Sequence, residues 1–311
     1  MTTIRIKQVD AFTKKAFGGN AAAVVLDADH LSSTEMQTIA REMNLSETVY
    51  VVKPSEGNDE ADLRIRWFTP TYEVSLCGHA TIAAFHVLAE EGRFGLEVNE
   101  PQSFIVETKS GNLVVDVEWK EFHPYIRFSL PIPQFFPFPD DTSLLCGAIG
   151  LSEIELSRKV NPQITDKGYC FIPVSNYESL ESLEPNQQLM KKLYDRHEIG
   201  GFIVLSTDTK EKNVDWEIRF FAPAWGVLED PVTGSAQGPV AAYLWYNALL
   251  DPDKEAFTFK GAQGSFMNRL GHVDVALSVK NEEMQELIIA GHAVTVMEGN
   301  LMIEDPAAAK L

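Results

Sequence analysis

The feature that most constrains this chain is a repeat half its own length. Arg66-Trp-Phe-Thr-Pro70 reappears as Arg219-Phe-Phe-Ala-Pro223, 153 residues further on. Holding that offset without a gap sets Val51 on Val204, Val74 on Val227, Ala83 on Ala236, Val87 on Val240, Ala89 on Ala242, Phe104 on Phe257 and Gly111 on Gly264. One offset sustained over that span means a duplicated domain, and so long a period excludes an array of short repeats. A chain of 311 residues has room for two such domains.

Each half then reads as the same run of elements. Thr34 to Asn44 carries Met36, Ile39, Ala40 and Met43 at the spacing of one helical face, and its counterpart is the Gln187 to Arg196 stretch with Leu189 and Leu193. Short apolar runs follow, Val49 to Val52 and Phe202 to Leu205, and then alternating strands, Leu63 to Phe68 and Trp216 to Phe221. After a proline turn comes a helix apolar on most sides, His79 to Glu90 or Ser235 to Ala248. Further strands are expected over 103–108 and 113–119, and over 256–260 and 272–279.

A helix apolar all round is a buried helix, and Ala80, Ala83 and Ala84 let strands wrap it closely. The expected fold is therefore α+β, two similar lobes, each a curved and mostly antiparallel sheet around a central helix. Residues 1–145 and 146–311 are the expected lobes, with the site in the cleft between them. The boundary falls in the stretch 140–159, which follows Pro131, Pro133, Pro137 and Pro139. The tail from Asp305 is expected to fray.

Charge narrows the function. With 26 Lys and Arg against 45 Asp and Glu the formal charge is −19, a field that repels phosphates and excludes nucleic acid and anionic membranes as partners. An anionic substrate must then meet locally positive features. Cys77, Cys146 and Cys170 form no CxxC pair and are too sparse for a disulfide framework, so a reducing compartment is expected. The N-terminus alternates like a strand without the apolar core of a signal peptide, and no run approaches the roughly 18 apolar residues of a membrane span, so the expected location is cytoplasmic. The seven histidines contain no HxH or HxxxH pair, which gives a metal site no sequence support. Phe17-Gly-Gly-Asn20 is a glycine turn between strands, not a dinucleotide fingerprint, and no cofactor is expected.

The candidate chemistry lies where the shared strand leads into the buried helix. The first half runs Cys77-Gly-His-Ala-Thr81 and the second Glu229-Asp-Pro-Val-Thr-Gly-Ser235, the constant offset pairing Cys77 with Asp230. Glycine at such a turn exposes backbone N–H groups at the positive end of the helix, which suits a carboxylate or phosphate. On spacing alone Gly78 and Gly234 equally serve tight turns, with Ser235 or Thr233 as N-cap. Glu47 lies between an amphipathic helix and an apolar strand, and its counterpart at the offset is Gly200, so the repeated fold does not require a carboxylate there. A half-buried carboxylate beside apolar surface suits general acid/base work near neutral pH; a solvated glutamate closing a helix is the competing reading. Asp230 before Pro231 reads also as a turn former, and His79 as a satisfied polar residue.

Val9-Asp-Ala-Phe-Thr13 with Phe17-Gly-Gly-Asn20, Leu45-Ser-Glu-Thr48, Arg66-Trp-Phe-Thr-Pro70 with Cys77-Gly-His-Ala-Thr81, and Glu229-Asp-Pro-Val-Thr-Gly-Ser235 occur in this order across nearly the whole chain. In these motifs the sequence resembles the phenazine biosynthesis PhzF-like family. The resemblance implies the diaminopimelate epimerase-like fold, which agrees with the duplication. It also implies a homodimer and a cofactor-free isomerisation in which a glutamate moves a proton between carbons of a small cyclic or amino-acid-derived carboxylate. Carried over, that glutamate is Glu47, the supporting aspartate is Asp230 and the histidine is His79, while Asn20, Ser46, Gly78, Thr233, Gly234 and Ser235 are the expected substrate-binding positions. One departure bears on mechanism. Related racemases and epimerases use two cysteines, and here Cys77 stands at one such position and Asp230 at the other, so a two-thiol racemase is not expected. An epimerase using Cys77 and Asp230, or a non-catalytic metabolite-binding protein, are the alternatives.

Overall fold

The duplication appears as one order of strand pairings written twice. In the computed structural model, which describes residues 2–98 and 100–303, the first unit lays out Ala293–Ile303, Thr2–Ala11, Asn20–Val25, Glu47–Val52, Leu63–Phe68, Gln102–Thr108 and Gly111–Lys120. These are joined antiparallel, antiparallel, parallel, antiparallel, parallel, antiparallel. The second unit lays out Phe135–Pro137, Gln163–Thr165, Tyr169–Pro173, Gly201–Ser206, Trp216–Ala222, Ala256–Gln263 and Gly271–Lys280 with the same succession of pairings. The expected α+β class and mostly antiparallel lobes are what the chain forms; the expectation for the tail from Asp305 lies outside the described residues.

The expected lobe boundary is corrected. The compact units are the chain up to Ser129 together with the chain from Ala290, and Leu130–Ile289. The stretch 140–159 is not a linker, because Thr142–Ile149 is a helix capped by Asp141, which accepts the Ser143 N–H at 2.9 Å, and closed by Gly150 at φ 76. Its Leu145, Ala148 and Ile149 pack into a core with Met190, Leu193, Phe202 and Val204. The chain's last described strand, Ala293–Ile303, returns to the first unit and supplies the partner of Thr2–Ala11.

Both central helices are buried as their composition requires. Gly78–Glu90 is buried from Gly78 to Ala89 and packs on the strands 2–11, 20–25, 47–52 and 293–303. Gly234–Tyr246 is buried at Gly234 and from Ala236 to Leu244. Each begins at an extended N-cap residue, Cys77 or Thr233, whose side chain makes no capping bond.

The constant offset fails in two places. Arg66 clamps Glu73 at 2.7 and 2.9 Å, and Arg219 clamps Glu229 at 2.8 and 2.9 Å, so the second turn holds three extra residues. The counterpart of Cys77 is therefore Thr233, not Asp230, and that of His79 is Ser235. Thr48 lies opposite Phe68 and Phe202 opposite Phe221, which matches Glu47 with Gly201, not Gly200.

Candidate active site

Glu47 is delivered by a helix, a tight turn and a strand. The helix Ser33–Met43 starts with a reciprocal Ser32 and Glu35 capping box and ends at Asn44, which is left-handed at φ 50. Leu45 and Ser46 turn the chain into the strand Glu47–Val52, where Glu47 lies beside Ala22 of the parallel strand Asn20–Val25. Asn20 opens that neighbouring strand directly after Gly19. Gly19 has φ 58, and a Cβ there would lie 2.0 Å from the Ala11 carbonyl oxygen, so only glycine fits. Buried Asp10 pins the same turn by accepting the Phe17 N–H at 2.7 Å.

These elements bring Glu47, His79, Cys77, Asn20 and Ser46 together. Glu47 Oε2 and His79 Nε2 are 3.1 Å apart, and both atoms are buried without an aligned hydrogen bond. At the ring's other nitrogen, Asn20 Nδ2 lies 3.3 Å and Cys77 Sγ 3.6 Å from His79 Nδ1. Ser46 donates its hydroxyl proton to Asn20 Oδ1 at 3.3 Å, which orients the amide so that its N–H faces the ring. Burial pushes the Cys77 thiol up to about 11, with the Glu47 charge adding to it, so at neutral pH it is a thiol and a donor. Two donors thus meet at Nδ1. They leave it the acceptor and put the neutral ring's proton on Nε2, facing Glu47. Burial alone would lower the His79 pKa; the Glu47 carboxylate opposes it, and the net direction is up. A second ring proton then calls for the Asn20 amide to present Oδ1, with the Ser46 hydroxyl as acceptor.

The second unit assembles the rest of the expected residues. Thr233 donates its hydroxyl to the Asp230 carboxylate. Gln263 donates to the Asp230 carbonyl at 2.8 Å and to Thr233 Oγ1 at 3.0 Å, and accepts the Thr233 N–H at 2.9 Å. Gln237, fully buried in the central helix, accepts the Trp216 indole N–H at 2.7 Å and donates to the Ala262 carbonyl at 3.0 Å. Ser235 meets the Tyr169 hydroxyl at 3.1 Å. The sequence reading missed Tyr169, Gln237 and Gln263. A glutamine inside an otherwise apolar helix was an available sign, because a buried amide must find partners.

Among the described residues Glu47, Cys77 and His79 are the one histidine, cysteine and carboxylate set close enough to share a cation, their ligand atoms lying within 4.8 Å of one another. Within the set the sulfur lies 3.6 Å from Nδ1 and the carboxylate 3.1 Å from Nε2.

Two units of this topology, one of them setting a carboxylate against an imidazole at the start of its buried helix, define the class: an isomerase of the duplicated epimerase-like fold. The chain belongs to the PhzC-PhzF family of phenazine biosynthesis-like proteins, whose model matches residues 9–299. It is 35% identical over 300 residues to an uncharacterized isomerase of Clostridium acetobutylicum, covering 95% of this chain and 97% of that one. The crystal structure of a PhzF-family phenazine biosynthesis protein from Bacillus anthracis is similar at a TM-score of 0.87 and 32% identity, over 97% of this chain and 100% of that one. A hydroxyproline epimerase of Agrobacterium vitis shares the fold at a TM-score of 0.59 and 13% identity, over 98% of this chain and 94% of that one. No helix among the described residues is long and apolar enough to cross a membrane.

Proposed function

We propose that this isomerase moves a proton between carbons of a small cyclic or amino-acid-derived carboxylate, without a cofactor, and that Glu47 carries the proton. The observation behind this reading is the 3.1 Å approach of Glu47 Oε2 to His79 Nε2, both otherwise unpartnered. A carboxylate so placed can take a proton from one carbon and return it to another, while the Nε2–H steadies its charge before the first step and after the second. Asp230, engaged by Thr233, assists. Asn20 and Ser46 act through His79. Gly78, Thr233, Gly234 and Ser235 bind substrate: neither helix start carries an acidic residue in its first turn, so their N–H groups offer an acidic protein two positive ends for a carboxylate. By resemblance the enzyme works as a cytoplasmic homodimer.

The epimerase alternative needs Cys77 as a thiolate, and burial opposes that. Its second base would be Asp230, whose carboxylate accepts the Thr233 hydroxyl. The test is deuterium uptake from heavy water into a panel of cyclic and amino-acid-derived carboxylates, read by mass spectrometry. Glu47→Gln keeps the size and a hydrogen-bonding group, so binding survives while exchange falls by about 10² to 10⁴; Asp230→Asn loses less and Cys77→Ala stays active. A Glu47→Gln protein with near-normal exchange overturns the reading, and a folded but inactive Cys77→Ala protein favours the thiol route.

A further inference from the structure

The acid/base pair of the first unit has a counterpart in the second, built from different residues. Glu47 corresponds to Gly201 by strand register, and His79 to Ser235 by helix start. On the adjacent parallel strand, Ala22 stands beside Glu47 in the first unit and Tyr169 beside Gly201 in the second. The large polar side chain has moved one strand over. A Cβ on Gly201 would lie 2.5 Å from the Tyr169 ring, so the ring occupies the space a side chain at 201 would need. Its hydroxyl ends 3.1 Å from Ser235 Oγ, the separation also found between Glu47 Oε2 and His79 Nε2.

The pair is held rigidly and left accessible. Phe220 and Trp225 meet the Tyr169 ring edge-on with centroids 5.8 and 5.7 Å away, and the Trp225 ring fills the Cβ space of Gly200. Ser235 is the one residue from Gly234 to Leu244 that is not buried, and Tyr169 is the half-buried first residue of a strand buried over its remaining length. Both residues thus stand, half-buried, at the start of an otherwise buried element.

We infer that Tyr169 is a further substrate contact of the second unit, its hydroxyl binding a carboxylate or hydroxyl oxygen of the ligand beside Ser235, which the proposed function already sets at the substrate. This rests on the proposed isomerase reading. Phenol and alcohol are neutral and each both donates and accepts, so the pair suits binding and orienting an oxygen of the ligand and not moving a proton.

The test titrates the full chain, labelled at tyrosine 13Cζ, with trans-4-hydroxy-L-proline and with 3-hydroxybenzoate. The Tyr169 signal is assigned by its loss in Tyr169→Phe, a variant that keeps the ring packing. The expected result is a saturating shift of that signal, with calorimetric binding weakened about 2- to 10-fold in Tyr169→Phe and in Ser235→Ala, the worth of one hydrogen bond. A probe that binds wild type and Tyr169→Phe equally, with the signal unmoved, overturns the inference and leaves the isomerase reading to the Glu47→Gln exchange measurement. If neither probe binds, the inference fails together with the carboxylate substrate class.

Discussion

His79 shows how much of a candidate site is decided by the side chains around one ring. Its ring could carry the neutral proton on either nitrogen, and the Ser46 to Asn20 to Nδ1 chain assigns it to Nε2. Asn20→Asp replaces the donor with a group that only accepts, so Nδ1 should become protonated and the imidazole should titrate higher than in wild type. Nitrogen-15 spectra of the ring across pH measure both effects, and an unchanged tautomer in a folded Asn20→Asp protein would show that Asn20 does not set it. At this scale the motif residues were legible: Glu47 stood out because the repeat does not require it, and Asn20 and Ser46 lay inside quoted motifs. Their roles were not legible, because being a substrate contact or an orienting residue depends on what lies three ångströms away.

The element that positions the site, the helix Gly78–Glu90, ends against its own dipole. Glu90 sits at the negative terminus, where Lys7 at 3.3 Å, Thr295 at 2.7 Å and His86 at 3.2 Å surround it. Burial alone would raise its pKa, but the close approach of the His86 ring, the Thr295 hydroxyl bond and the Lys7 charge bring it down to about 2 from an ordinary 4.5. A carboxylate lowered in the folded state contributes stability above its unfolded pKa, and that contribution is lost as pH falls toward the folded value. Glu90→Gln should therefore cost about 1 kcal/mol at pH 7, a figure discounted for solvent because the side chain is one-third exposed. It should also flatten the decline in stability between pH 4.5 and 2. Urea unfolding across that range is the measurement, and a variant curve parallel to wild type would mean the network contributes nothing. The helix itself was legible from its alanines; its charged surroundings come from strands 2–11 and 293–303, far away in sequence.

At the scale of the whole molecule, the return of Ala293–Ile303 to the first unit means that a cut between residues 145 and 146 does not separate two complete folds. A fragment of residues 130–289 should unfold cooperatively, whereas residues 1–145 should not, because Thr2–Ala11 lacks its antiparallel partner. Circular dichroism melts of the two fragments decide it, and a cooperative melt from 1–145 would show that strand to be dispensable. By itself the amino-acid sequence determined the duplication, the order of elements in each copy and the motifs that make up the candidate site, because repeated motifs and hydrophobic periods are written locally. Only the tertiary structure decided which residue of one copy answers which of the other, that Tyr169 fills the space above Gly201, and that the last strand belongs with the first. The reason is that strand register and the filling of a glycine's empty space are settled between segments far apart in the chain, by which side chains fit once the sheets have formed.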